Sequence, residues 1–273
     1  MQAVEPSISH ETKPLVAIAS KVPAATLYFW LIKILTTGMG ETTSDFLLHH
    51  VRPRSLPLGG VGLTFAVALA VQIRSRRYHA ARYWTVVILV AVFGTMVADV
   101  IDFIFDLPLY IATPVFAAMV GAVLWAWWAV EGTLSIHSIF SRRREAFYWT
   151  TVFLTFVLGT AAGDWTAETL KLGYLWSGVA FGAMMVVPLI GFKVFKLNGV
   201  LCFWVAYILT RPLGASFADW MSAATSRGGL GMGPLKVSVI WAVAIAVMVI
   251  WMATRRDEEL PTPDPEPEAP AGR

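Results

Sequence analysis

Seven carboxylates lie inside otherwise apolar stretches of this chain, and four of them occupy one repeated position. Trp30, Trp84, Trp149 and Trp204 are each followed ten residues later by a glycine: Gly40, Gly94, Gly159 and Gly214. Five residues beyond each glycine stands an aspartate: Asp45, Asp99, Asp164 and Asp219. A second small residue sits four after each glycine, namely Ser44, Ala98, Gly163 and Ala218. Three of the repeats add further acids. Glu41 lies four before Asp45 and Asp102 three after Asp99. Glu168 lies four after Asp164, so that Thr160, Asp164 and Glu168 share one helix face. Two bases, Lys33 and Arg211, accompany them.

A charge held at membrane depth is costly, and it marks an ion pathway, a proton relay or a paired structural group. The donors around these acids are oxygens: the carboxylates with Thr36, Thr37, Thr42, Thr43, Thr160, Thr166 and Thr210, and no His or Cys within the four motifs. Hard oxygen ligands suit Mn, Mg or Ca better than Cu or Zn. The reading is a membrane transporter or channel for a small cation. A divalent metal is the first choice, with Asp45, Asp99, Asp164 and Asp219 as ligands and proton coupling as a compatible mode. Glu41, Asp102, Glu168 and Thr160 would join that site, and Lys33 and Arg211 would serve as charge partners or gates. No other cofactor is expected, and the expected partners are the bilayer and the cation, with no nucleic acid. Two alternatives stand beside this reading. One is a membrane enzyme on a lipid-linked substrate, with Asp164 and Glu168 as its acid–base pair. The other is a structural protein whose aspartates cap helix ends or pair with Arg211 and Lys33. No Walker loop, HExxH or GxSxG signature is present.

The elements that must carry these residues follow from composition. The chain has 273 residues, 57% hydrophobic and 14% charged, against about 25% charged in a soluble domain. Continuous apolar runs fall at about 24–48, 57–74, 82–106, 111–137, 146–170, 174–196, 199–222 and 234–254. Each approaches the ~20 residues that a helix needs to cross hydrocarbon. The expectation is an all-α integral membrane protein: eight transmembrane helices as four parallel two-helix repeats in a pseudo-four-fold bundle. The motif helices would form the inner ring, with each glycine and second small residue allowing close helix contact. The runs 59–71 and 237–251 lack charge and suit an outer, lipid-facing ring. Trp and Tyr at the start of each motif are read as interfacial anchors. Fifteen residues at 1.5 Å rise then place the aspartates about 22 Å deeper, in the outer half of the bilayer. Pro212 after Arg211 predicts a kink in span seven. His49 and His50 read as an outer loop, and the Gly-rich segment 227–234 as a flexible turn. Glu131 and His137 read as interfacial polar anchors.

Loops on one side hold eleven Lys and Arg residues, among them Arg74, Arg82, Arg143 and Lys193, and those on the other side hold five. The excess marks the cytoplasm, so both termini are expected there. The segment before span one lacks the apolar stretch of a signal peptide, and span one is expected to serve as the uncleaved signal. The organisation is a polar lead at 1–23, one membrane domain at 24–256 with repeats at about 24–81, 82–145, 146–198 and 199–256, and a Pro- and Glu-rich tail at 257–273 that should be disordered.

Four segments resemble a known bacterial group: Thr36 to Asp45, Glu131 to His137 with Arg142 to Glu145, Gly159 to Asp164, and Thr210 to Asp219. Together they resemble the uncharacterised membrane-anchored proteins built from a tandem repeat of unknown function. The resemblance covers about 24–256, and the second repeat, Gly94 to Asp99, departs most from it. It implies a multi-pass protein of the bacterial inner membrane made of repeats, and it implies no activity.

Overall fold

A computed structural model describes residues 20–23, 25–75 and 78–258, with side chains through Trp251. The expected disordered tail beyond Glu258, most of the lead, and Arg76 and Arg77 fall outside these residues, and the first two tail residues, Asp257 and Glu258, continue the last helix. Among the described residues there are eight α-helices and no strand. They are α1 (Leu27–His50), α2 (Ser55–Arg74), α3 (Ala80–Phe105), α4 (Leu109–Glu131), α5 (Arg142–Asp164), α6 (Tyr174–Lys193), α7 (Gly199–Ser222) and α8 (Pro234–Glu258). Seven of them, α2 to α8, are long and apolar enough to cross a membrane. The exception, α1, is as long as α7 at 24 residues, but it carries Lys33, Glu41 and Asp45 among four threonines and a serine.

Three of the motif helices start on a side-chain cap. Thr26 accepts from Phe29 N at 3.3 Å, Ser141 from Arg144 N at 3.2 Å, and Asn198 from Val200 N and Leu201 N at 2.9 and 3.2 Å. Each cap satisfies donors that a first turn leaves open. At the far end, α5 widens into a π-turn at Trp165–Thr169. The helix α7 runs unbroken through Pro212. Thr37 Oγ1 reaches across to donate to Thr210 O at 3.2 Å beside this proline.

The motif helices α1, α3, α5 and α7 form a closed ring: α1 packs on α3 and α7, and α5 packs on α3 and α7. The other four lie outside it, with apolar faces left bare on α2 and α8. Each outer helix packs on the motif helix of the following repeat and only slightly on its own. Thus α2 lies on α3, α4 on α5 and α6 on α7, and α8 returns to α1. The chain therefore closes on itself through its last helix.

One contact recurs round the ring. A Cβ added at Gly40 would stand 2.5 Å from Ala91 Cβ, and one at Gly94 would stand 2.6 Å from Phe156 Cβ. At Gly159 it would overlap Arg211, and at Gly214 it would overlap Thr37, with Ile34 O at 2.7 Å. Ala91, Phe156, Arg211 and Thr37 each stand three residues before the glycine of their own helix. The repeated glycine of one helix therefore receives the equivalent residue of the next. The second small residue is looser: at Gly163 the nearest atom is Ser216 Oγ at 3.8 Å.

The aromatic residues at the start of each motif correct the sequence reading. Trp84, Trp149 and Trp204 are 2–3% exposed, and Tyr83 and Tyr148 are fully buried. They face inward with Phe29 and Tyr207 and fill the base of the ring. The Tyr83 and Tyr148 hydroxyls meet at 2.5 Å, and Trp204 Nε1 donates to Leu134 O at 3.0 Å. Position at the end of an apolar run suggested a headgroup anchor, but in the second, third and fourth repeats these rings pack on one another inside, while Trp30 is half-buried and Tyr28 exposed. Over this base lies the end of the lead. Lys21 Nζ is buried against Glu145 Oε2 at 2.6 Å, and its backbone N donates to Ile139 O at 2.9 Å.

Candidate functional site

At the opposite end of the ring from the aromatic base, the motif helices enclose a cavity of about 270 Å³. Asp45 of α1, Asp99 of α3, Asp164 of α5 and Asp219 of α7 all line it, with Glu41, Asp102, Glu168 and Thr160. The four repeat aspartates are half-buried, Glu41 is buried, and Asp102 and Glu168 stand exposed at the rim. Ala98, Ile101, Leu109, Ala112 and Phe116 make an apolar wall on the α3–α4 side. Seven carboxylates therefore share one small space, and a single arginine side chain, Arg227, lines it with them.

The aspartates are little used by the protein itself. Asp99 Oδ2 accepts from Ser44 Oγ at 3.1 Å, which ties the small position of α1 to the acid of α3. The side chains of Asp45, Asp164 and Asp219 accept no hydrogen bond and form no ion pair among the described residues. None of the four acts as a helix N-cap. Glu168 Oε1 accepts from Tyr174 Oη at 2.9 Å. The stripe of Thr160, Asp164 and Glu168 still faces one cavity, although the π-turn intervenes between its last two members.

Below the aspartates the floor is built around Arg211, which is fully buried. Its Nη2 donates to Glu41 Oε2 at 2.6 Å, to Thr160 Oγ1 at 2.8 Å and to Thr95 Oγ1, while Nη1 donates to Thr37 O at 3.2 Å. One guanidinium on α7 thus holds α1, α3 and α5. Arg211 pairs with none of the repeat aspartates among the described residues: its salt bridge runs across the ring to Glu41. Helical spacing along one helix cannot reveal a partner on another. Lys33 also departs from expectation. Its Nζ is buried without a hydrogen bond, 4.1 Å from the Phe156 ring centroid and 4.4 Å from that of Tyr207. These two ring faces are what its amino group meets in place of a carboxylate.

Thr95 was not singled out in the sequence, yet a signal was there. It follows Gly94 directly, as Glu41 follows Gly40 and Thr160 follows Gly159. These three equivalent residues converge on Arg211, and Ala215 holds the fourth such position. Arg227, His49 and Tyr174 also line the cavity, and they belong to no repeated position. His49 and His50 lie in the last turn of α1, not in a loop, with Nδ1 atoms 2.7 and 2.9 Å from Asp45 O and Phe46 O. The segment after Arg227 is pinned to the end of α7 by Leu230 N to Trp220 O at 2.7 Å and Gly231 N to Ala223 O at 2.8 Å. Glu131 lies at the base, where it accepts from Arg144 Nε at 2.6 Å and from Arg143, and His137 sits in a short 3₁₀ turn.

Among the described residues, no three His, Cys, Asp or Glu side chains are grouped so as to hold a metal ion. The aspartates surround a space without closing on a point. They are therefore not arranged as the direct four-carboxylate metal centre expected from the sequence.

A family model described as Repeat of Unknown Function (DUF347) matches the chain at residues 28–78, 82–133, 147–196 and 202–257. The chain belongs to this repeat family. No curated protein and no solved structure matches it.

Proposed function

We propose that this member of the repeat family binds a small cation in the carboxylate cavity and carries it across the bacterial inner membrane. The observation that supports this reading is the convergence of four repeat-equivalent aspartates, one from each inner helix, on a single cavity where at least three have no protein partner. A structural role would give such acids caps or ion pairs, since buried charge is otherwise costly. The space of about 270 Å³ has room for several water molecules. That suits a divalent ion of the Mn, Mg or Ca type held with part of its water shell, a state Mg²⁺ in particular favours. Proton-coupled exchange is the proposed mode, because carboxylates released from a cation can take up protons.

In this reading all eight helices span the bilayer. The Arg211–Glu41 pair and the Lys33–aromatic contact make the charges of α1 tolerable inside the ring. The recurring glycine contact and the return of α8 to α1 support a pseudo-four-fold arrangement. Both termini are cytoplasmic and the cavity opens outward. The lipid-linked enzyme gains no comparable support. The large apolar cleft beside α1, α6 and α7 is lined by Trp30, Leu189, Phe192 and Phe203 with no carboxylate, while Asp164 and Glu168 face the other cavity.

Equilibrium binding of Mn²⁺, Mg²⁺, Ca²⁺ and K⁺ to the purified protein tests the reading. Saturable binding of at least one divalent ion is expected. A panel without saturable binding contradicts it.

A further inference from the structure

Glu41 belongs to two arrangements at once. It lines the cavity, and it is the one carboxylate bonded to Arg211 among the described residues. Its Oε2 receives Arg211 Nη2 at 2.6 Å and Thr95 Oγ1 at 3.5 Å, while Oε1 accepts no hydrogen bond there. The guanidinium is thus a cation already seated against the acidic space, fixed by a covalent stem to α7. It is also the tie among the inner helices, reaching Thr37 O and Glu41 on α1, Thr95 on α3 and Thr160 on α5. The stem is confined too, because Gly159 leaves no space between itself and Arg211. Lys33 shares the Phe156 ring with Arg211.

We infer that Arg211 is a tethered cation at the floor of the cavity. It antagonises the cation that the cavity takes up, and that cation in turn weakens Arg211's hold on the four inner helices. The inference rests on the cation reading and adds to it a determinant of affinity and a route from occupancy to the ring. A cation approaching Glu41 Oε1 meets the guanidinium across one carboxylate, and like charges at that separation repel. Linkage makes the effect reciprocal: whatever Arg211 costs the bound cation, the cation costs Arg211. Among the described residues the contact that loosens is the only one in which a single side chain bonds the other three inner helices, so occupancy acts where the ring is tied. Arg211 is in this sense a positioning residue and not a ligand.

The test is Mn²⁺ titration of purified protein in detergent, with free Mn²⁺ counted by electron paramagnetic resonance, on wild type, Arg211→Gln and Arg211→Lys. Arg211→Gln should bind Mn²⁺ more tightly by about 5–150-fold, the usual range of a coupling between two sites. Arg211→Lys keeps the charge and should return affinity most of the way to wild type, which a purely structural role would not require. Thr95→Val serves if Arg211→Gln does not fold. It removes one partner of Arg211 and leaves the cavity lining intact, and it should tighten binding in the same direction by a smaller factor. Equal affinity in wild type and Arg211→Gln, or in wild type and Thr95→Val, overturns the inference while the cation site stands. No Mn²⁺ binding by wild type or any variant removes the cation reading itself.

Discussion

Arg211 and Lys33 place two basic side chains in the middle of the ring, and they are held differently. Arg211 has an ion pair and three further acceptors, whereas Lys33 has two aromatic rings. Removing one partner of a buried pair leaves a charge uncompensated and costs ~3–5 kcal/mol, while replacing both by apolar groups is often neutral. Glu41→Gln should therefore lower the melting temperature in detergent sharply. Combining Glu41→Met with Arg211→Met should recover much of the loss. A Glu41→Gln protein that melts with the wild type would show that the pair does not hold the ring. The acids and both bases were legible as chemistry from the sequence, because charge inside an apolar run stands out. Their partners were not: Arg211 finds Glu41 on another helix, and Lys33 finds no carboxylate at all.

At the scale of elements, the glycines separate two kinds of helix surface. Gly40 faces Ala91 so closely that a Cβ would collide with its Cβ and stand 2.8 Å from its backbone carbonyl carbon. Gly59 in α2 has nothing within 4 Å. Alanine is the better helix former by ~1 kcal/mol, so Gly59→Ala should melt at or above the wild-type temperature. Gly40→Ala should melt lower, since overpacking costs ~1–3 kcal/mol. Equal melting of the two variants would remove close packing at Gly40 as the reason for the repeated glycine. The inner helices were readable because the residues facing a shared axis repeat at fixed spacing. The partner of each outer helix was not readable: α2, α4, α6 and α8 are similarly apolar, and nothing in their patterns says that each packs on the next repeat. Three of the four tryptophans, Trp84, Trp149 and Trp204, were seen but misplaced, because hydropathy gives position along a helix and not the direction a ring faces.

At the scale of the whole molecule, the repeat and its packing unit are offset by one helix. The family repeat joins a motif helix to the helix after it, while each outer helix packs mainly on the next motif helix. Parallel repeats place the α2–α3 and α4–α5 links on one side. Reporter fusions at Ser75 and Arg143 should both read cytoplasm, and opposite answers would contradict the parallel arrangement. Detaching α8 by truncation after Gly233 should destabilise α1 more than α7, because α8 closes the ring on α1. Protease protection of the region of Asp45, compared with that of Asp219, reads this directly, and equal loss of protection would contradict the closure. The central claim is that the unpartnered aspartates hold a cation in transit. Mn²⁺ uptake into liposomes by wild type and Asp164→Asn, each with a melting curve, tests it most directly, since this change removes a charge and almost no volume. The account predicts saturable uptake by the wild type, and none by an Asp164→Asn protein that melts at or above the wild-type temperature. A folded Asp164→Asn protein that carries Mn²⁺ at the wild-type rate would contradict it.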